Sequence, residues 1–537
     1  MHPFAGNLLW LACRAARRVT GSATKRGADM AQAGASVAEI LTRGADGRAA
    51  ISAPGRAGLT RAALSRLAET VRAGLNGRGI GRGERVAIVL PNGPEMASCF
   101  VSVAAAASAA PLNPSYKADE FSFYLGDLRP RALVLREEDA SPARAVAEAL
   151  AIPVIGLTPE GPAGGFRLDL AALPPAPAVL AGPAAAGDEA LVLHTSGTTA
   201  RPKIVPLSGA NLAASAGHIA ATLGLSEADR CLNIMPLFHI HGLMAAVLAS
   251  LAAGAEVCCT EGFNALKFLT LLAEVKPSWY TAVPTMHQAI LLRARQHPAA
   301  ARAAGLRFLR SSSASLPAPV MAELEEVFGA PVIESYGMTE ATHQMTSNPL
   351  PPAARKPGSV GRAAGPEVAI MDREGRILPP GAEGEVVIRG PNVTAGYAAN
   401  PEANARAFQD GWFRTGDEGR IDAAGYLFLS GRLKEIINRG GEKVSPLEVD
   451  GVLSAHPAVA QALAFALPHP MLGEEVAAAV VLREGATASE QEIREFAAER
   501  LASFKVPRKV LFLDEIPKGA TGKLQRIGLA ARLGLAP

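Results

Sequence analysis

The sequence predicts an α/β protein with three parts: a large N-terminal domain of two helix-covered sheets, a small β-barrel-like subdomain within it, and a small α+β domain at the C-terminus. Apolar strand patterns alternate with helical patterns from about residue 36 to 190 and from about 205 to 345, and such alternation favours parallel sheets covered by helices. Short strands separated by glycines follow from 357 to 430, which is typical of a small barrel. After Gly431 the pattern becomes a compact α+β unit.

Local signals place the individual elements. Thr60 is a good N-cap for the helical pattern that follows it, and apolar runs at 85–90 and 132–135 predict strands. The Pro/Gly/Ala stretch 172–187 is interpreted as a loop. The C-terminal unit is expected to contain helices near 446–455 and 489–502 and strands near 460–466, 476–483 and 508–513.

A hydroxyl-rich loop joins the two alternating blocks. It follows an apolar strand, 191–193, and reads Thr195-Ser196-Gly197-Thr198-Thr199-Ala200-Arg201-Pro202-Lys203. Gly197 permits a sharp turn close to a ligand, and the backbone N–H groups, the four hydroxyls and Lys203 make an array that suits phosphate oxygens. The spacing is not that of a Walker A motif. The alternative is an ordinary polar turn at the end of a strand.

The composition is that of a folded globular chain, with 49% hydrophobic and 19% charged residues, and the length of 537 residues predicts at least two domains. Five cysteines are scattered without a CxxC pair, which favours reduced thiols and a cytoplasmic location. The apolar stretch Leu243 to Ala255 is shorter than the ~18 to 20 residues of a membrane span. It predicts a buried helix, and no membrane partner is expected.

The net charge of +3 is concentrated in the first 29 residues, which hold five Lys/Arg and one Asp. Without them the chain has no basic excess, and aromatic residues make up only 5%, so nucleic acid is not an expected partner. Residues 1–35 are interpreted as an extension without function: a disordered tail, a transit-like segment or the result of a true start at Met30. The sequence leaves the oligomeric state open.

Five motifs follow one another in a fixed order: the loop 195–203, Tyr336–Glu340, Gly411–Asp417, Gly431–Glu435 and Pro517–Lys523. In this order they resemble the signature of the adenylate-forming superfamily of acyl-CoA synthetases, peptide-synthetase adenylation domains and luciferases. The resemblance covers roughly residues 36 to 530. Ala200 and Ile204 stand where the superfamily usually has glycine, so the loop is expected to keep its role without its usual mobility.

The resemblance implies a reaction that uses ATP, Mg²⁺ and CoA. A carboxylate does not condense with a thiol at neutral pH because oxide would have to leave, whereas attack on the α-phosphorus of ATP gives an acyl-adenylate from which AMP leaves. Negative charge gathers on the phosphates in the transition state and needs fixed donors and cations. By resemblance, Thr339 contacts the α-phosphate and Glu340 holds Mg²⁺, for which a carboxylate is a suitable ligand.

The same resemblance gives roles to further residues. Asp417 accepts the ribose hydroxyls, Arg432 contacts ribose and phosphates, and the segment Ser335-Tyr336-Gly337 lies against the nucleotide. Taken alone, Glu340 would be an ordinary acid at a helix N-terminus and Asp417 an ordinary turn residue. The ordered set of motifs favours the functional interpretation of both.

The resemblance also predicts that the C-terminal domain, 435–537, rotates on the large domain, 36–430, about a hinge at 431–434. Lys434 matches the hinge position. Lys523 lies in a glycine-containing loop and would bridge the acid carboxylate and the α-phosphate; the alternative is a solvated surface lysine. Gly440-Gly441 would line the passage for the pantetheine arm of CoA, where the missing side chains leave room.

The acyl pocket is expected to form from the segments 238–243, 280–287, 311–315 and 336–343, which hold four of the ten histidines and three consecutive serines. A polar pocket costs affinity for an alkyl chain because buried donors go unpaired, so a short acid with a second carboxylate is favoured. The alternative is that some of the histidines only satisfy backbone groups. The residues in question are His239, His241, His287, His343, Ser311, Ser312 and Ser313.

Five further stretches resemble the oxalate–CoA ligases within that superfamily: Trp279–Thr285, Thr339–His343, Ser347–Pro351, Gly390–Thr394 and Asn438–Lys443. This resemblance implies activation of oxalate, with His239, Ser313 and His343 in contact with the acid and His241 and Ser312 beside them. Alternatives are a ligase for another small, medium-chain or aryl acid, a carrier-loading adenylation module, and a non-enzymatic nucleotide-binding regulator.

Overall fold

The computed structural model describes residues 35–195, 202–519 and 523–535. The predictions for residues 1–34, and those for residues 196–201 of the hydroxyl-rich loop, lie outside this part of the chain. The strands are β1 Ala49–Ala53, β2 Arg56–Thr60, β3 Arg85–Val89, β4 Ser108–Pro111, β5 Ala132–Arg136, β6 Val154–Pro159, β7 Phe166–Asp169, β8 Glu189–His194, β9 Ile204–Ser208, β10 Arg230–Asn233, β11 Glu256–Cys259, β12 Trp279–Ala282, β13 Phe308–Ser311, β14 Val332–Met338, β15 His343–Ser347, β16 Arg362–Ala363, β17 Glu367–Met371, β18 Glu383–Arg389, β19 Phe408–Gln409, β20 Trp412–Ile421, β21 Leu427–Arg432, β22 Ile437–Arg439, β23 Glu442–Val444, β24 Val459–His469, β25 Gly473–Leu482 and β26 Lys509–Phe512.

The helices lie mainly between the strands of the two alternating blocks, as the sequence predicts. They are Val37–Leu41, Arg61–Asn76, Pro94–Ala104, Ala118–Leu128, Pro142–Ala149, Gly209–Thr222, Ala249–Ala252, Phe268–Val275, Pro284–Ala294, Pro298–Ala303, Ala318–Phe328, Pro401–Ala407, Pro446–Ser454, Glu490–Ala498 and Leu529–Arg532. The side chain of Thr60 accepts a hydrogen bond from the backbone N–H of Ala63 at 3.3 Å, which confirms the predicted cap of the helix Arg61–Asn76.

The first sheet has seven strands in the order β7-β6-β5-β3-β4-β8-β9. Its centre is parallel, and the edge strands β7 and β9 run antiparallel to their neighbours. The strands predicted at 85–90, 132–135 and 191–193 are β3, β5 and β8. The hydroxyl-rich loop therefore connects β8 to the edge strand β9.

The second sheet has nine strands in the order β16-β15-β14-β13-β12-β10-β11-β1-β2. Strands β10 to β14 and β1 run parallel to one another, whereas β2, β15 and β16 each pair with their neighbours in antiparallel fashion. Chain order alone assigned β1 and β2 to the first block. They join the second sheet because Ile51 of β1 pairs with Val257 of β11, and both side chains are fully buried in the core.

The apolar stretch from Leu243 to Ala255 forms the buried helix that the sequence predicts, with an unpredicted π-helical start. Residues His241–Leu248 form π-helical turns that continue as the α-helix Ala249–Ala252. Gly242 lies so close to the preceding chain that a Cβ there would be 2.4 Å from the carbonyl oxygen of Pro236. Within the described residues, no helix is both long and apolar enough to cross a bilayer.

The subdomain expected to be barrel-like contains a five-stranded antiparallel sheet in the order β17-β18-β20-β19, with β21 also paired to β20. Strand β21 ends at Arg432, and β22 begins at Ile437 in a separate sheet, with the order β23-β22-β25-β24 and with β26 parallel to β25. The short strands β22 and β23 were not predicted. The predicted helix 489–502 ends at Ala498 and is followed by a 3₁₀ turn, Ser503–Lys505.

The C-terminal unit touches the rest of the chain through polar groups. The ammonium of Lys443 lies 3.0 Å from Glu418 Oε1 on β20. The side-chain amide of Gln461 on β24 donates to Gln288 Oε1 on the helix Pro284–Ala294 at 2.9 Å. In this arrangement the charge of Lys523 acts on Arg432, Asp417 and Glu340 in the site described next.

Candidate active site

The parallel strands β10, β12, β13 and β14 end at one edge of the nine-stranded sheet. Ala282 at the end of β12 pairs with Ser311 at the end of β13, and Ser311 pairs with Glu334 on β14. The polar segments singled out in the sequence follow these strand ends, so the topology brings them together. Carboxyl ends of parallel strands are where open α/β sheets bind ligands.

Tyr397 contacts both the buried carboxylate of Glu340 and Lys203 at the end of the hydroxyl-rich loop. Tyr397 donates its hydroxyl to Glu340 Oε1 at 2.9 Å, and the ammonium of Lys203 lies 4.2 Å from the centre of the Tyr397 ring. Burial raises the pKa of Glu340, while the Tyr397 hydrogen bond and the charges of Arg432 and Lys203 oppose that rise. Tyr397 thus links the end of the loop to the 3₁₀ turn Thr339–Ala341, which carries Glu340.

The described ends of the hydroxyl-rich loop meet at its base. The backbone N–H of Thr195 donates to the carbonyl of Lys203 at 2.9 Å, and the N–H of Lys203 donates to Thr195 Oγ1 at 3.1 Å. Ile204, which stands where glycine was expected, is the first residue of β9 and pairs with His194. The other predicted phosphate contacts lie outside the described residues: Ser196, Gly197, Thr198 and Thr199.

Asp417 and Arg432 face each other on the paired strands β20 and β21. The Nε of Arg432 lies 3.4 Å from Asp417 Oδ1, and the Tyr336 hydroxyl donates to the other carboxylate oxygen. Burial raises the pKa of Asp417, while Arg432 and the Tyr336 hydrogen bond oppose that rise. The three residues form one polar group, as expected if they bind the same ligand.

Lys523 acts by its charge on both this group and the histidines. Burial and the charge of Arg432 lower the pKa of Lys523 from 10.5 to about 8, while Asp417 and Glu340 oppose the shift. Burial, together with the charge of Lys523, lowers the pKa of His239 to about 3. Lys523 therefore acts electrostatically on both predicted halves of the site, and it is not the solvated surface lysine of the alternative interpretation.

Three of the eight non-glycine residues with positive φ in the described part of the chain lie in the segments predicted to form the acyl pocket. Ser313, Thr342 and His343 have positive φ values of 77°, 50° and 94°. Non-glycine residues rarely adopt such values, and residues that do so cluster at functional sites. Gly337 permits this arrangement, because a Cβ at that position would lie 1.6 Å from the carbonyl oxygen of His343. The close pairing of β14 with β15 thereby fixes where His343 stands.

His241 uses both of its ring nitrogens within the protein. Its Nε2 lies 2.6 Å from Thr281 Oγ1 and 3.4 Å from Arg310 Nη1, and its Nδ1 lies 3.0 Å from Ser313 Oγ. Burial and neighbouring positive charges lower its pKa, so the ring is neutral. His241 therefore holds Ser313 in place and has no nitrogen left for a direct contact with the acid.

His239 and His343 remain available. The backbone N–H of His241 donates to His239 Nδ1 at 3.4 Å, which leaves Nε2 of the neutral ring as the proton-bearing donor. The His343 ring stacks on His241 with a centroid distance of 4.9 Å, and its buried Nε2 has no partner among the described residues. Burial lowers the pKa of His343, again with the charges of Arg310 and Lys523 acting in the same direction.

Three other candidates serve the scaffold. Ser312 donates its hydroxyl to the carbonyl of Ser335 at 2.9 Å, and the Ser335 hydroxyl donates to the carbonyl of Ser311 at 3.3 Å. His287 lies between the hydroxyl of Tyr280 and the carbonyl of Arg310. These hydrogen bonds fasten β12, β13 and β14 to one another.

Sequence reasoning missed Arg310 and Tyr397. Arg310 is fully buried on β13 next to His241. The signal for it was available, because an arginine that directly follows the apolar residues Phe308 and Leu309 of a strand has to be explained by a buried partner or ligand. Tyr397 is 57 residues from Glu340 in the chain. No local pattern connects these two residues.

The predicted hinge and CoA-passage residues lie in turns. Lys434 is exposed between β21 and β22. Gly440 and Gly441 form the exposed turn of the β22–β23 hairpin with φ values of 59° and 96°, and the N–H of Gly440 donates to the carbonyl of Leu472 at 2.9 Å. Their roles in domain rotation and CoA passage stay predictions.

Glu340 fits a magnesium ion that arrives with a phosphate ligand. Its carboxylate is a hard oxygen donor oriented by Tyr397. Within the described residues, no group of three or more His, Cys, Asp or Glu side chains could enclose a metal ion. Mg²⁺ in nucleotide sites is commonly held by one or two carboxylates together with substrate phosphates and water, and the residues present match that pattern.

Residues 39–398 match the family model described as AMP-binding enzyme. The chain is a member of that family. Residues 448–523 match the model of the AMP-binding enzyme C-terminal domain. The resemblance to adenylate-forming enzymes found in the sequence motifs is confirmed.

Several known proteins are similar to this AMP-binding enzyme over most of its length. An oxalate–CoA ligase of Arabidopsis thaliana is 47% identical over 89% of this chain and 94% of the relative, and one of Saccharomyces cerevisiae is 41% identical over 83% and 86%. The crystal structure of ATP-bound MatB from Rhodopseudomonas palustris superposes with a TM-score of 0.82 at 32% identity over 91% of this chain and 97% of that one. The protein is an AMP-forming acid–CoA ligase that uses ATP, Mg²⁺ and CoA.

We expect Gly337→Ala to destabilise the protein by about 3 kcal/mol, the upper range for overpacking, because the new Cβ would overlap the His343 carbonyl and no rotamer change relieves it. Gly126→Ala is the matched control: a Cβ there meets nothing within 4 Å, and alanine favours the helix Ala118–Leu128 by up to about 1 kcal/mol. Denaturant unfolding measures both changes. Equal stability of the two variants would contradict the steric argument.

The pKa of Lys523 near 8 predicts a pH dependence of adenylate formation. The ammonium form exists below that pKa, so kcat/KM for ATP, measured by pyrophosphate release, should fall as the pH rises through about 8. Lys523→Arg keeps the positive charge at all these pH values and should remove this fall while lowering the absolute rate. A fall of the same size in Lys523→Arg would assign the titration to another group.

Proposed function

We propose that this acid–CoA ligase activates oxalate: oxalate, ATP and CoA give oxalyl-CoA, AMP and pyrophosphate. The observation that supports it is the acyl pocket, where neutral His239 and His343 and the hydroxyl of Ser313 meet under the influence of the cations Lys523 and Arg310. Oxalate is small and carries two carboxylates, so both of its ends find donors. The identity to oxalate–CoA ligases gives independent support.

In the first half-reaction an oxalate oxygen attacks the α-phosphorus of ATP, the new P–O bond forms and pyrophosphate leaves. Lys523 neutralises the charge shared by the attacking carboxylate and the α-phosphate, and Thr339 and Arg432 donate to the phosphates. Asp417 accepts the ribose hydroxyls, and Ser335, Tyr336 and Gly337 line the nucleotide. Glu340 would hold the magnesium ion, which supplies charge neutralisation at the phosphates when bound.

In the second half-reaction the CoA thiolate attacks the activated carbonyl carbon, the C–S bond forms and AMP leaves. The thiol needs the space that Lys523 occupies, so the C-terminal unit has to turn about Lys434 before CoA enters. Gly440 and Gly441 would then border the pantetheine arm, since a turn without side chains leaves room for it.

Oxalate binding follows from the donor geometry. The N–H groups at His239 Nε2 and His343 Nε2 donate to the acid, while His241 and Ser312 keep Ser313 and the strand ends in position. An alkyl or aryl acid would leave these buried donors unpaired, a loss that typically costs several powers of ten in kcat/KM.

The decisive experiment compares oxalate, malonate, acetate, hexanoate and coumarate, each with ATP, Mg²⁺ and CoA, by pyrophosphate release and by mass detection of the acyl-CoA product. We expect oxalate to have the highest kcat/KM, by at least about 100-fold over acetate. Preference for hexanoate or coumarate would favour the ligase alternatives. ATP binding without pyrophosphate release for any acid would indicate a regulator.

Two substitutions should separate the half-reactions in opposite directions. Lys523→Ala is expected to slow adenylate formation by about 10² or more, as for other fixed charge donors, and to spare thioester formation from preformed acyl-adenylate. Lys434→Pro is expected to spare adenylate formation and block thioester formation, because proline restricts the rotation of the hinge backbone. Pyrophosphate exchange and acyl-CoA release measure the two steps. Equal loss of both steps in either variant would contradict the assigned role.

A further inference from the structure

Arg310 is a buried cation that has no counter-charge among the residues the structure describes. Its side chain is fully buried at the centre of the nine-stranded sheet, and it forms no ion pair with any carboxylate of the residues the structure describes. Its hydrogen-bond partners are the neutral groups Thr281, His241 and Gln344, at 3.3 to 3.4 Å, and its Nε has no partner. Burial lowers its pKa to about 9, which still leaves it protonated at neutral pH.

The neighbouring strand does not offset this charge. Glu334 lies on β14 opposite Ser311, one residue from Arg310, and burial raises its pKa to about 8, so its carboxyl is protonated at neutral pH. The nearby histidines are neutral and their pKa values are lowered in part by Arg310 itself. A buried, unpaired charge is costly to maintain, and a group kept at such cost next to a candidate site is itself a candidate for a functional role there.

A chain of hydrogen bonds leads from Arg310 to the acyl pocket. The Arg310 side chain can only donate hydrogen bonds, so Thr281 Oγ1 accepts one from it. The hydroxyl proton of Thr281 is therefore directed to His241 Nε2, 2.6 Å away. With Nε2 as acceptor, the neutral ring of His241 carries its proton on Nδ1 and donates it to Ser313 Oγ at 3.0 Å. The hydroxyl of Ser313 can then donate its proton to a ligand in the acyl pocket.

We infer that Arg310 is a specificity-determining positioning residue that makes this site select dianionic acids. It does so in two ways: it orients the Ser313 hydroxyl as a donor through Thr281 and His241, and its charge is compensated by the distal carboxylate of the bound acid. The inference rests on the proposed function, since it concerns the second carboxylate of oxalate. A monoanion of the same shape would leave both the charge and the Ser313 donor uncompensated.

Oxalate and oxamate provide the matched pair of probes, because oxamate replaces one carboxylate by an amide at nearly the same size. The measured quantity is the ratio of kcat/KM for the two acids in pyrophosphate release at saturating ATP. We expect the wild-type protein to favour oxalate strongly, Arg310→Met to lower the ratio by about 10-fold or more, and Arg310→Lys to retain part of it because the charge remains. The KM for ATP should stay unchanged in all variants.

Two further variants distinguish a change in acid specificity from a simple loss of protein stability. Thr281→Val keeps the volume but removes the hydroxyl that orients His241, and it should lower the ratio several-fold. Arg61→Met removes another largely buried arginine, which donates to the backbone carbonyls of Leu251 and Ala255 away from the pocket. It should cost stability and leave the ratio unchanged.

The outcomes distinguish this inference from the proposed function. A wild-type protein that releases no pyrophosphate with oxalate contradicts the proposed function and this inference with it. A wild-type protein that uses oxalate, while folded Arg310→Lys and Thr281→Val keep its oxalate-to-oxamate ratio, contradicts the role of Arg310 alone. A change of that ratio in Arg61→Met equal to the change in Arg310→Met would likewise overturn it, by making the effect one of general stability.

Discussion

The parallel alignment of β10, β12, β13 and β14 is the constraint on which the site depends. Because the strands run in the same direction and pair residue by residue, the segments that follow them emerge at one edge. Residues more than a hundred positions apart, such as His239 and His343, thereby both come into contact with His241. The hydroxyls of Ser312 and Ser335 and the ring of His287 fasten the strand ends, so that the pocket is built on rigid elements.

Much of this could be predicted from the sequence, and the exceptions have physical causes. The alternating pattern predicted both sheets, and Thr60 and the apolar run before Thr195 marked their elements correctly. Pairing partners could not be predicted: β1 joins β11 through contacts 200 residues away in the chain. Tyr397 was missed for the same reason, since folding alone brings it to Glu340, whereas the signal for Arg310 was present in the sequence and was overlooked.

The histidines show which features of the site the sequence could predict and which it could not. Four of them in the predicted pocket segments indicated a polar site, yet their individual tasks depend on which nitrogen is already engaged. His287 and His241 have both nitrogens bound within the protein, whereas His343 does not. The positive φ values of Ser313, Thr342 and His343 are equally invisible in the sequence, and that of His343 accompanies the close approach of its carbonyl group to Gly337.

The contacts between the C-terminal unit and the large domain are individually weak. The Lys443–Glu418 pair is partly exposed, and such pairs contribute about 0 to 1 kcal/mol. The amide contact between Gln461 and Gln288 adds about 1 kcal/mol. Energies of this size are only a few times thermal energy. Contacts this weak would let the small unit leave the large domain without any dedicated latch having to break, as the proposed turn about Lys434 requires.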